Sequence, residues 1–174
     1  MTYEILKPKF TVFTSSTSVY PQNDASEVDE TSPVGGTPTG DVLLAAEQIA
    51  LTAGGAAVRL GGIYGPGRAR FIESARANEP LPFGSPDAFI NLVHRDDAAR
   101  ALFHVGSNRL PGLYNAVDDH PGRRDDLGAS IRSGQITRPN SPEASTGKRV
   151  KNAKLKSTGW TPRYPSILDA LPEL

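Results

Sequence analysis

The sequence predicts an α/β chain built on a mostly parallel sheet. Two observations carry this. Short apolar runs bounded by turn residues lie at 10–14, 56–60, 89–93 and 113–117, and segments with apolar residues at helical spacing lie between them. Strands alternating with helices are the pattern of parallel strands joined by helical crossovers.

Each element follows in order from local chemistry. The run Phe10-Thr11-Val12-Phe13-Thr14 ends in Ser15-Ser16-Thr17-Ser18, as a buried strand does when it enters a polar loop. Residues 21–40 are rich in Pro, Gly, Ser, Asp and Thr and predict a long loop, a length that in a compact domain is often functional. A helix follows, with Thr39 as its N-cap, Val42, Ala45, Ala46 and Ile49 on one face, and Gly54-Gly55 as its stop. Ala56 to Leu60 is a strand running into Gly61 to Gly67, a turn too rich in glycine to be an element. A second helix covers Arg70 to Ala77, and Phe89 to Val93 is a further strand.

His94-Arg95-Asp96-Asp97 opens a third helix, with Ala98, Ala101, Leu102 and Val105 at i, i+3, i+4, i+7. There Asp96 and Asp97 read as the N-cap and its neighbour, at the positive end of the helix dipole. Leu113 to Val117 is another strand, and Asp118-Asp119-His120-Pro121 is a turn. Residues 121–147 are polar and predict no element. The tail holds a short helix around Ala153 to Ser157, the turn Gly159-Trp160-Thr161-Pro162, and a last helix with Ile167, Leu168 and Leu171 on one face. Trp160 and Tyr164 are expected to pin this tail to the core.

Composition bounds the function. The 174 residues carry 19 basic and 19 acidic side chains, a formal net charge of zero, which argues against a nucleic-acid surface. Without cysteine there is no disulfide, thiol nucleophile or thiolate zinc ligand. No apolar run approaches the roughly 18 residues of a membrane span, and no signal-peptide pattern opens the chain. The expected address is the cytoplasm, with no membrane partner.

The serine cluster at the end of the first strand could hydrogen-bond a substrate oxygen, because ligands of open α/β sheets sit beyond the carboxyl ends of strands. Those hydroxyls could equally satisfy a turn. Gly61 to Gly67 either lets backbone approach a ligand closely or makes a tight connection. The phosphate-loop patterns GxxxxGK[ST] and GxGxxG are both absent. His94, His104 and His120 lack metal-ligand spacing, so no metal is expected. Five cations between Lys148 and Lys156 read as a solvated face.

Taken together, the segments resemble the extended short-chain dehydrogenase/reductases, the NAD-dependent epimerase/dehydratase family. The segment Thr11 to Tyr20 is similar to that family's strand ending in SSxxVY. Val28 to Pro33, Ala45 to Gln48, Arg59 to Arg68, Asn91 to Ala99, Tyr114 to Asp119, Gly147 to Leu155 and Gly159 to Pro165 follow in the family's order. The resemblance implies a partial Rossmann-like parallel sheet flanked by helices, with a small C-terminal substrate subdomain. Residues 1–66 would be the C-terminal part of an NAD(P)-binding domain, and 67–174 the substrate side, interleaved through a return strand near 89–93.

It also implies roles. Ser16 stands at the position of the polarising Ser/Thr. Ser15, Gly61 and Gly62 stand on the side of the NAD or NADP cofactor, and Tyr64, Asn91 and His94 where a small-molecule substrate is held, a nucleotide-sugar or related hydroxyl or carbonyl compound. A homodimer would form through the helix at about 40–53.

Two departures follow. The family's Tyr-x-x-x-Lys pair falls on Thr39 and Leu43, neither of which is a phenolic acid or a cation. In the family a strand, a GxxGxxG turn and further strands precede the SSxxVY segment, whereas ten residues precede it here. The chain is therefore expected to correspond to the C-terminal part of a longer relative and to be catalytically impaired, with a non-catalytic small-molecule or partner-binding remnant as the alternative.

Overall fold

A computed structural model describes residues 8–82, 84–135 and 146–174. Most of the patternless opening segment, and residues 136–145 of the segment expected to lack an element, lie outside that set. The first apolar run forms β1 (Val12–Ser16), shifted two residues towards the serines. It ends where the Ser16 hydroxyl accepts the Ser18 amide and caps a 3-10 turn over Thr17–Val19.

The loop at 21–40 carries more order than its composition implies. Glu27–Val28 is a short strand, β2, paired in parallel with Arg149–Val150. Helix α1 spans Pro38–Thr52, and its N-cap is Thr37, not Thr39: the Thr37 hydroxyl accepts the Gly40 amide at 3.0 Å. Proline at the first helical position suits this start, since it brings no amide to satisfy. The expected apolar face is also turned outward, with Val42 70% and Ile49 61% exposed. Gly40, Glu47 and Ala50 face inward instead.

β3 (Ala56–Leu60) is buried throughout. The glycine-rich turn after it does contain a strand, β4 (Gly62–Tyr64). After α2 (Arg70–Arg76), the expected strand at 89–93 divides into β5 (Ala88–Ile90) and β6 (Leu92–His94). The break is Asn91, whose amide is bonded to the backbone of Lys148 and Val150 rather than to a neighbouring strand residue.

Helix α3 (Arg95–Ser107) is capped by His94, not Asp96: Nδ1 accepts the Asp96 amide at 3.2 Å. Asp97, fully buried, accepts the Arg163 and Tyr164 amides at 2.8 and 2.9 Å and the Arg100 guanidinium at 2.7 Å. That carboxylate ties the tail to the start of α3. β7 (Gly112–Ala116) follows. The polar stretch beyond it holds β8 (Gly122–Arg123), α4 (Arg124–Ser133) and β9 (Thr146–Gly147). β10 (Arg149–Val150), α5 (Ala153–Lys156), α6 (Ile167–Ala170) and a final 3-10 turn over Leu171–Glu173 complete the chain.

The central sheet is parallel, in the order β1-β3-β7, with Val12, Ala56 and Gly112 in register. Because side chains alternate along a strand, Val58 and Leu60 face α3 while Arg59 faces α1. The α3 side is a core of Val58, Val93, Ala101, Val105, Leu155 and Trp160, so Trp160 does anchor the tail. A second core joins Phe71, Ile72, Leu127, Ile131, Ile167 and Leu168 beneath the β4–β6 pair. No helix of the described residues is long and apolar enough to cross a membrane.

Candidate functional site

Register brings three polar side chains abreast at the carboxyl end of the sheet: Ser15 on β1, Arg59 on β3 and Asn115 on β7. Glu47 of α1 meets them. Its carboxylate takes two hydrogen bonds from Arg59, 2.9 Å from Nε and 2.7 Å from Nη2, and one from the Ser15 hydroxyl at 2.5 Å. Both members of the ion pair are almost wholly buried. The guanidinium lies 4.8 Å over the Tyr20 ring, and the Tyr20 hydroxyl donates to Asn115 Oδ1 at 2.9 Å. Burial pushes the Tyr20 phenol above its ordinary value, so it stays protonated. The assembly locks α1 to the sheet, and it commits the Ser15 hydroxyl to Glu47.

The other residues singled out by sequence divide into three groups. Ser16 caps the 3-10 turn, and its own O–H has no acceptor among the described residues. Thr39 is exposed in the first turn of α1, while Leu43, at the other place of the missing pair, packs against Val19, Tyr20, Val28, Val117 and Val150. Gly61 is filled by the chain itself: a Cβ there would lie 2.8 Å from the Asn91 carbonyl oxygen. Asn91 uses its side-chain amide to fix residues 148–150. His94 is buried between Tyr64, 5.3 Å away edge-on, and Tyr164, 4.2 Å away, and burial lowers its pKa. It is a neutral helix cap.

Gly62 and Tyr64 do border open space. Past the carboxyl end of β3, a cavity of about 440 Å³ is walled by Ile63, Phe71, Leu92 and Ile167. Arg68 and Arg70 stand beside it, both exposed. The Tyr64 hydroxyl is buried with no hydrogen-bond partner.

Sequence reasoning missed two groups. Lys148 is not part of a solvated face: its Nζ donates to the Tyr20 carbonyl at 2.7 Å, and burial lowers its pKa. Asp118 is almost completely buried with Oδ1 unpartnered, and burial, then the Asp119 charge, raises its pKa well above the carboxylate range. The only sequence signal for either was its place at the end of a strand or inside the family's tail motif. Among the described residues no three His, Asp or Glu side chains converge to hold a metal ion.

No family model matches the sequence, and no curated protein does. Solved structures do match. A candidate NAD-dependent epimerase/dehydratase from Methylobacillus flagellatus superposes with a TM-score of 0.85 at 30% identity, over 98% of this chain and 65% of its own. The chain has the fold of the NAD-dependent epimerase/dehydratase structures. Human epimerase family protein SDR39U1 (isoform 2), solved with NADPH, matches with a TM-score of 0.74 at 22% identity, over 95% of this chain and 65% of its own. MoeE5, solved with UDP-glucose and NAD, matches at 0.74 and 23%, over 92% and 62%. The chain thus spans just under two thirds of the length of these structures.

The described residues do not by themselves form a cradle for a dinucleotide. Ser15 is bonded to Glu47, a Cβ at Gly61 would strike the chain's own backbone, and only Gly62 opens onto space.

Asp118 gives the chain a measurable pH signature. Its folded pKa is raised, so the folded state binds the proton more tightly than the unfolded state, whose value is near 3.8. Its stabilisation is full below that value and is lost as pH rises through the folded pKa. Asp118→Asn should therefore raise the urea midpoint relative to wild type, by an increment that grows with pH. An increment that shrinks with pH would contradict the assignment.

Proposed function

We propose that the chain is a small-molecule-binding member of the NAD(P)-dependent epimerase/dehydratase class whose proton-transfer couple is lost and whose cofactor site is incomplete. One observation carries the reading: Thr39 faces solvent and Leu43 is packed into an apolar cluster, where that class places a phenol and an ammonium. Neither side chain can hold or deliver a proton near neutral pH. Ser16 retains a free donor and would polarise a ligand oxygen. Tyr64 and Gly62 border the ligand cavity, while Asn91 and His94 act behind it, as a strut for residues 148–150 and as the cap of α3.

On this reading residues 1–66 are the cofactor-side part and 67–174 the substrate side, NAD or NADP is the cofactor class, and a hydroxyl or carbonyl compound is the substrate. Two copies would associate through the outer face of α1, where Val42 and Ile49 lie exposed.

Thermal scans with NAD, NADH, NADP and NADPH test it. A nucleotide at 100 times its dissociation constant would add about 2.7 kcal/mol. The expected result for this chain is no shift approaching that size with any of the four. A full shift with one of them would show an intact cofactor site and overturn the reading.

A further inference from the structure

The cavity past β3 has an uneven chemistry. Its walls are aliphatic and aromatic, from Ile63, Phe71, Leu92 and Ile167. Its polar side chains are Tyr64, Arg68 and Arg70. A guanidinium only donates hydrogen bonds, and the Tyr64 hydroxyl is buried away from the open space. A sugar ring needs acceptors as well as donors for its hydroxyls, and this wall offers no carboxylate or amide. The side chains of Arg68 and Arg70 form no ion pair or hydrogen bond among the described residues.

We infer that this cavity binds a compact organic anion, a phosphate monoester or carboxylate on an apolar body, with Arg68 and Arg70 holding the anionic group and the apolar wall taking the body. The volume of about 440 Å³ falls in the range of small-molecule sites. Charge complementarity commits the occupant: two cations without carboxylate partners stand beside a dry wall. This rests on the reading of the same site as a small-molecule pocket, and it narrows the ligand away from a neutral polyol.

Calorimetric titration of the purified chain, with no nicotinamide nucleotide present, tests it using phenyl phosphate, phenylacetate, benzyl alcohol, glucose and inorganic phosphate. At least one of the two aromatic anions should bind at one site, about tenfold or more tighter than benzyl alcohol, glucose or inorganic phosphate. Tighter binding of phenyl phosphate assigns the headgroup as phosphate, and of phenylacetate as carboxylate. Arg68→Gln and Arg70→Gln should each weaken that binding about tenfold. Both side chains are exposed, so the urea midpoint should not move.

Binding of glucose as tight as that of the anions, affinity indifferent to both arginines, or no binding of either aromatic anion would overturn the inference. A full nucleotide shift in the thermal scans alongside specific anion binding would leave this inference standing while the reading of a lost cofactor site fell.

Discussion

Glu47→Ala should destabilise the chain by about 3–5 kcal/mol, the range for removing one partner of a buried ion pair. The reason is what it leaves behind. Arg59 would keep its charge with no counter-ion, in a place where it and Glu47 are 3% and 4% exposed. Its Nη1 already lacks a partner, so the carboxylate supplies both of the side-chain hydrogen bonds that the guanidinium makes. The Ser15 hydroxyl would lose its acceptor as well.

The double variant Glu47→Leu with Arg59→Met separates this cause from simple packing loss, because an apolar pair of similar volume in place of a buried ion pair is often neutral or stabilising. It should recover most of the lost stability in urea unfolding. A double variant no more stable than Glu47→Ala would mean that the charges are not what the site depends on.

That network also marks where the sequence stops being readable. Ala56–Leu60 could be placed from its run of apolar residues, since a strand buried on both faces has only its composition to show. The orientation of α1 could not. Val42, Ala45, Ala46 and Ile49 make the more apolar stripe, yet the helix turns Glu47 inward, because a partner twelve positions later on β3 neutralises it. Periodicity contains no term for such a pairing.

The helix Arg124–Ser133 escaped notice for a related reason. Its buried face is Leu127 and Ile131 with Gly128 and Ser130, two small residues that let it approach its neighbours and add little hydropathy. The i, i+4 spacing of Leu127 and Ile131, with Asp125 and Asp126 in the first turn, was the available signal. Asn91 divides a strand because its amide reaches residues 148–150, a contact no local window contains.

For the site, the motif positions were legible and their engagements were not. Sequence located Ser15, Gly61 and His94 at strand ends and Asn91 within a strand, but only the folded chain shows each of them satisfied by its own neighbours. The cavity at Gly62 and Tyr64 depends on α2 and α6 closing over the β4–β6 pair, a packing that no local window contains.

The largest functional effect is expected in turnover. In this class hydride exchange at carbon is matched by proton exchange at oxygen, and a positioned acid or base contributes about 10²–10⁴-fold to such a step. On the proposed reading, a threonine exposed at the helix start and a leucine partly buried against an apolar cluster would supply none of that factor. The Tyr20 hydroxyl cannot substitute, being bonded to Asn115, with its pKa raised by burial. The direct test follows the near-ultraviolet absorbance of NADH and NADPH, at millimolar concentration, with aldehyde and ketone substrates and the purified chain. The account predicts no oxidation above the rate without protein, for wild type and Ser16→Ala alike. Sustained oxidation that Ser16→Ala abolishes would show a working proton relay and contradict the account.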